Sequence, residues 1–330
     1  LFEERVRITD QLIGEWYQEP ENGGCCRKLL EDMQKMGKPV CNTSPARLLL
    51  CQVLKWNNAA WDRELFRNSC ANILEELLQE WEQKAHIGSL NQEEYIFILY
   101  GTVQKQPEST KMWEILRKFF SAAGQFFSCD MALYVGNMVM FEDMPCELAV
   151  IRQLKEDNVA RRSGVYRAEN GEDRVEPQIR QPDFRTWEKL LLQGMGKQVY
   201  EDAMRYLQEL SDADCLNAGN LQKFYSDFYR VICLAEERTD TAWEDIFTEE
   251  EQRQTALHAY ETLQDMQLFL KTVTSYFSGE EVDAGRAVGQ VDAIKEYIYH
   301  HLDSDIRRED IAVAVFMNPN YVSRLFKKVE

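Results

Sequence analysis

Between residues 47 and 162, short aliphatic runs alternate with long amphipathic stretches, and their order narrows the folds open to the chain. Residues 47–55, with Leu48-Leu49-Leu50-Cys51 at their centre, have the length and aliphatic content of a buried strand. A long helix is expected next, over about 59–84, with Trp61, Leu65, Ile73, Leu77 and Trp81 on its inner side. Residues 86–90 and 94–101 read as a hairpin that turns at Asn91-Gln92-Glu93. A helix over 109–127, a strand over 130–136 and a helix over 146–162 follow. Strand, helix, hairpin, helix, strand predicts an antiparallel sheet with helices on one face.

The flanks are helical. Residues 1–19 place Phe2, Val6, Ile13 and Trp16 roughly on one side, and a break from Pro20 to Gly24 separates them from a second helix, so 1–46 reads as an entry helix and linker. From 183 to 277, Phe184, Trp187, Leu190, Leu191, Val199, Ala203, Tyr206, Leu207 and Leu210 imply a packed helix pair, and 221–235 and 252–277 continue the pattern. Tyr225, Phe228 and Tyr229 are assigned to the core, because aromatics dominate apolar interiors. Glu249-Glu250-Glu251 is expected as a solvated helix start, and 278–290, rich in Gly and acid, as a hinge. The fold class is α+β and multidomain: 1–46 entry and linker, 47–176 a ferredoxin-like α/β sandwich, 177–282 a helical region and hinge, and 283–330 a terminal pair of short helices.

That terminal pair has its own logic. Ile311, Ala312 and Val315 recur at helical spacing, and the small Ala312 and Ala314 allow close approach by another helix. Asn318 suits an N-cap and Pro319 the first helical position, where a missing N–H costs nothing. In the helix that starts there, Val322, Leu325, Phe326 and Val329 fall on one face and Asn320, Ser323, Arg324 and Lys327 on the other. Residues 307–330 hold five Lys or Arg against three Asp or Glu; they carry +2 of a chain total of −18, which leaves −20 on the rest. Only this end suits a phosphate backbone. The acidic body is expected to discourage binding away from that face.

Other chemistry is weakly supported. No apolar run approaches the length of a membrane span and no signal peptide opens the chain, which points to a cytoplasmic protein. Nine cysteines without a paired metal spacing suit reduced thiols, with Cys25-Cys26 an incidental neighbour pair. Gly194-Met195-Gly196-Lys197 has the end of a phosphate loop but lacks its upstream Gly, and Gln198 stands where a Ser or Thr would hold Mg²⁺. His86, His258, His300 and His301 have no metal spacing with any cysteine. Gly37-Lys38-Pro39-Val40 echoes a lysine-proline step of receiver domains, with too little chain before it for the acidic pocket such a domain needs. No catalytic residue, cofactor or metal is expected.

The stretch from Glu309 to Lys328, preceded by 291–302, resembles the first helix-turn-helix of AraC/XylS-type transcription regulators. The resemblance implies that Asn320, Ser323 and Arg324 face base edges in the major groove of an operator, and that Arg307, Arg308, Asn318, Lys327 and Lys328 meet the DNA backbone. Residues 47–176 resemble a degenerate diguanylate cyclase (GGDEF) domain, with Asn91-Gln92-Glu93-Glu94-Tyr95 where that family keeps its signature glycines and acids. The family's metal-binding aspartates at the end of the first strand are replaced by Gln52-Val53-Leu54-Lys55, so the resemblance implies a fold without cyclase chemistry. The whole chain, including residues 65–78, is similar to AraC-type response regulators of Gram-positive bacteria. That likeness implies a receiver domain before Leu1, a second helix-turn-helix after Glu330, a partner sensor histidine kinase, and signalling through homodimerisation. A rival expectation is a regulator whose middle region binds a small molecule directly.

Overall fold

The aliphatic run forms strand β1, Pro45–Trp56, and both of its faces are buried. Leu49, Cys51 and Val53 enter one core, and Ala46, Leu48 and Leu50 enter another. The expectation of helices on one face is therefore corrected. Side chains alternate between faces along a strand, so an uninterrupted apolar run needs cover on both. The structure is a computed structural model that describes residues 2–20, 23–58, 61–101, 109–167, 179–239 and 243–278, with 295, 297–299 and 311. The chain divides into two units, Leu1–Arg174 and Val175–Glu330.

In the first unit β1 is joined by β2 (Lys84–Ser89), β3 (Glu94–Tyr100), β4 (Cys129–Met140) and β5 (Gly164–Arg167) in the order β2-β3-β1-β4-β5. All neighbours are antiparallel except β4 and β5. Helices α3 (Arg63–Leu77) and α4 (Ser109–Phe127) cover one face through Phe66, Cys70, Leu74, Leu116 and Phe119. The other face is covered by α1 (Phe2–Gln18), α2 (Gly23–Lys35) and α5 (Met144–Asp157), through Ile13, Trp16, Leu29, Met33, Leu148 and Ile151. The segment read as an entry and linker is thus a layer of this unit, because its apolar stripe is buried against the sheet.

Two element readings are revised. The helix expected over 59–84 begins only at Arg63, because the Asp62 carboxylate accepts the free N–H groups of Glu64 and Leu65, at 2.9 and 3.1 Å. It ends at Leu77 before a 3₁₀ turn, Gln79–Trp81, which closes on Glu82 in the left-handed region. Its fully buried stripe is Phe66, Cys70, Leu74 and Leu78; of the residues expected inside, Trp61, Ile73, Leu77 and Trp81 pack partly buried against the same core, while Leu65 is 51 % exposed. β5 was not foreseen, since four half-buried or exposed residues carry no apolar alternation.

The second unit holds α6 (Phe184–Leu192), α7 (Gly196–Asp212), α8 (Ala218–Thr239), α9 (Trp243–Ile246), α10 (Glu250–Leu257) and α11 (Leu263–Ser278). The single helix expected over 252–277 is two. Thr262 accepts the Asp265 N–H at 3.1 Å and donates to its carboxylate at 2.5 Å, and this reciprocal cap starts α11 afresh. Phe228 is fully buried, Tyr225 half-buried, and Tyr229, expected in the core, is 38 % exposed.

Candidate functional site

The positions read as DNA contacts, Arg307, Arg308, Asn318, Asn320, Ser323, Arg324, Lys327 and Lys328, lie outside the described residues, as do His300 and His301. Nearby, Ile311 is helical and half-buried, and residues 297–299 are helical with Tyr299 74 % exposed.

At one end of the sheet the described chain builds a closed polar cluster. Gln52 comes from β1, Glu94 opens β3, Tyr134 lies on β4 and Lys155 on α5. The Glu94 carboxylate accepts from Gln52 Nε2 at 3.1 Å and from Asn91 Nδ2 at 3.2 Å, and pairs with Lys155 Nζ at 2.6 Å. The Tyr134 hydroxyl donates to Gln52 Oε1 at 3.2 Å and accepts from Asn158 Nδ2 at 2.9 Å. Lys155 also donates to the Tyr17 hydroxyl at 3.2 Å, while the Arg152 guanidinium lies 5.2 Å from the centre of the Tyr17 ring and bonds the Tyr17 carbonyl. The cluster therefore ties α1, α5 and the hairpin to one another.

Its electrostatics are those of a completed network. Burial alone would lower the Lys155 pKa, but its hydrogen bond to Glu94 and the neighbouring Tyr17 outweigh burial and hold the ammonium above its ordinary value. Burial pushes the Tyr134 hydroxyl well above the usual tyrosine range, against the opposing pull of Asn158. Glu94 has three donors on its two oxygens, so a divalent cation there would have to displace an ammonium. Glu93, beside it in the turn, is exposed.

A second buried cluster sits at the β2 edge. The Lys38 ammonium lies 2.5 Å from His86 Nδ1, donating to a ring that is 5 % exposed. Burial, with Lys38 and Arg67 nearby, pushes His86 down to about 3, and burial brings Lys38 down to about 8. The outward N–H of Ser89 is taken by Asp10 at 2.8 Å and that of Ala85 by Glu75 at 3.2 Å, so two carboxylates close the rim of an edge strand. Arg67, 4 % exposed, pairs with the same Asp10 at 3.5 Å. The lysine-proline echo at Lys38 is thus a packing contact.

The Gly194–Lys197 stretch is also structural. Gly194, at φ +77°, ends α6: Met195 N–H bonds the Leu190 carbonyl at 2.8 Å and Gly194 N–H the Leu191 carbonyl at 3.0 Å, a left-handed helix cap. Gly196 lets the start of α7 touch the Thr274 carbonyl of α11, where any Cβ would collide. Among the described residues no group of three His, Cys, Asp or Glu could hold a metal ion, and no helix is long and apolar enough to cross a membrane. All nine cysteines are free thiols. No protein-family model matches the chain, and comparison with characterised proteins finds no similar one.

Proposed function

We propose that the chain is the coupling and output part of a sequence-specific DNA-binding transcription regulator, acting in the cytoplasm on a double-stranded operator. The observation that carries this reading is the stripe Asn320, Ser323, Arg324 and Lys327, behind an Asn318-Pro319 helix start, on the one basic end of an acidic chain. Arg324 is the reader, Asn320 and Ser323 assist it, and Lys327 and Lys328 position the helix on phosphates. The rest of the proposal follows the likeness to AraC-type response regulators: a receiver domain accepts a phosphoryl group from a sensor kinase, and the two units described here pass its state on, through homodimerisation.

The polar cluster around Glu94 supports an output role over catalysis. A nucleotide reaction with two metals needs open carboxylates, and the carboxylate at the hairpin is already neutralised by Lys155 at 2.6 Å.

The test uses the chain extended through the second helix-turn-helix that the resemblance implies, with selection from a random duplex pool at fixed salt. One sequence is expected to be enriched. Arg324→Ala should cost about 1–3 kcal/mol and relax one base position, while Lys327→Ala should weaken all sequences alike and lower the salt slope by about 1. Failure to enrich any sequence, or an Arg324→Ala protein that binds like wild type, defeats the reading.

A further inference from the structure

The β2 rim holds one amine apart from the other lysines. Helix α2 ends on Gly37 at φ +75°, where the Gly37 N–H bonds the Gln34 carbonyl at 2.9 Å and the Lys38 N–H bonds the Met33 carbonyl at 3.1 Å. Gln34 Nε2 then holds the Val40 carbonyl at 2.9 Å, so the backbone on both sides of Lys38 is tied down. From there the half-buried side chain reaches His86 on β2, with its Nζ 2.5 Å from Nδ1 and 5.9 Å from the centre of the Tyr100 ring on β3.

No counter-ion completes this contact. The carboxylates whose charge reaches Lys38, Glu75 and Asp32, are engaged elsewhere: Glu75 accepts the Ala85 N–H at 3.2 Å and faces Lys84 at 3.6 Å, and Asp32 accepts the Thr9 hydroxyl at 3.2 Å. Nor does the imidazole supply charge. Its Nδ1 accepts from Lys38, so Nε2 carries the ring proton, and that buried Nε2 has no hydrogen-bond partner among the described residues. Burial and the nearby Arg67 oppose a second proton on the ring. Burial without a counter-ion favours the neutral amine, which can keep one N–H on Nδ1 while its lone pair attacks.

We propose that Lys38 is a modification site that takes an uncharged acyl group from a thioester. The amine nitrogen bonds to the acyl carbon, the C–S bond breaks with its electron pair on sulfur, and the proton lost from nitrogen ends on the departing thiol. No oxidant or reductant enters. The product suits the site better than the ammonium does, because an amide has no charge to desolvate and its single N–H can stay on His86 Nδ1. An acyl group with its own carboxylate would be brought into the field of Glu75 and Asp32. The proposal is independent of the DNA-binding reading, and either can fail alone.

Acetyl and succinyl thioesters of N-acetylcysteamine separate acyl transfer from acyl charge. A pKa of about 8 gives Lys38 about 100-fold more amine near neutral pH than an ordinary lysine, and lower basicity takes back about a factor of ten, as it does for thiols. In the full chain at about pH 7.5, peptide mass spectrometry should therefore show Lys38 acetylated about 10-fold faster than the exposed Lys28 and Lys35 of the same helix. Its rate should level off above about pH 8, where an ordinary lysine still gains amine to about pH 10. Denaturing urea should abolish the advantage, because burial creates it. With the succinyl thioester the advantage should shrink to about 2-fold or less. The proposal is overturned if Lys38 is acetylated no faster than Lys28 and Lys35, if its rate climbs to about pH 10, or if its advantage persists in urea or with the succinyl group.

Discussion

The sheet unit and the helical unit both pack aromatic rings, Phe66 on Phe127 at 4.4 Å in the first, but differ in what else closes them. The first is stitched by polar groups: Asp10 and Glu75 on the β2 rim, Gln52, Glu94, Tyr134 and Lys155 at one sheet end, and Arg47 with Glu147 on the irregular stretch of β4. The second is threaded by aromatics. Trp187 meets Phe228 at 6.0 Å, Phe228 meets Phe269 at 5.9 Å, Phe269 stacks on Phe247 at 5.9 Å, and Phe247 lies 4.4 Å from Trp243. A sheet has edges and strand ends whose N–H and C=O groups need partners from elsewhere, whereas a helix satisfies its own backbone and leaves its interior to apolar packing.

The largest effect is expected in the aromatic thread. Phe228→Ala should destabilise the helical unit by about 3–5 kcal/mol, because a fully buried ring is removed from among three others. Hydrogen exchange should show protection lost from α6 to α11 and kept in β1 to β4. Equal loss in both would show that the contrast is false and the two units unfold as one.

Adding one methyl sharpens the comparison. Gly196→Ala drives a Cβ into the Thr274 carbonyl, which cannot move without α11, and should cost about 2–3 kcal/mol. Gly88→Ala meets the Ile13 side chain, chiefly Cδ1 with Cγ1 and Cβ close behind, but no backbone, and should cost less, about 1–2 kcal/mol. Urea denaturation of the two variants decides; a larger penalty at Gly88 would mean that α1 is the more rigidly held helix.

The smallest effect belongs to the polar style of the first unit. Lys38, lowered to about 8 by burial, gives up its proton in the folded state before it does so unfolded. The unfolded chain therefore binds more protons from about pH 8 to the ordinary lysine pKa near 10.4, and stability rises with pH over that window. After allowance for partial exposure the gain is on the order of 1 kcal/mol. Urea midpoints at neutral pH and at about pH 9.5 should diverge in wild type by that much more than in Lys38→Met. Identical pH dependence in the two proteins would place the ammonium in water rather than against His86.

Legibility in the sequence tracked the range of the interactions. The hairpin around Asn91-Gln92-Glu93 and the helix from Ser109 to Phe127 were readable because turn chemistry and apolar spacing are local. The inner side read on α3 was right for Trp61, Ile73, Leu77 and Trp81, which pack partly buried against the core, but counting from Trp61, which lies before the Asp62 cap, passes over the fully buried Phe66, Cys70 and Leu74 and takes in the exposed Leu65. β5 exists only because β4 offers it an edge. At the candidate site, the lack of a carboxylate from Gln52 to Lys55 could be seen in the sequence, but the pairing of Glu94 with Lys155 could not, since no local pattern links β3 to α5. The glycines at 194 and 196 were rejected as a phosphate loop from spacing; their use as a helix cap and a close helix crossing needed coordinates.

The closure of the β2 rim also bears on the order of assembly. Asp10 reaches a partner 79 residues ahead of it, and the Tyr17 carbonyl one 135 residues ahead. On a ribosome, α1 emerges before β2 and α5, and until they have left the exit tunnel it has only α2 to pack on, through contacts such as Thr9 with Asp32 at 3.2 Å. A helix made before the sheet is then seated only after it, and its waiting apolar stripe, with Ile13 and Trp16, is the surface a nascent-chain chaperone would meet.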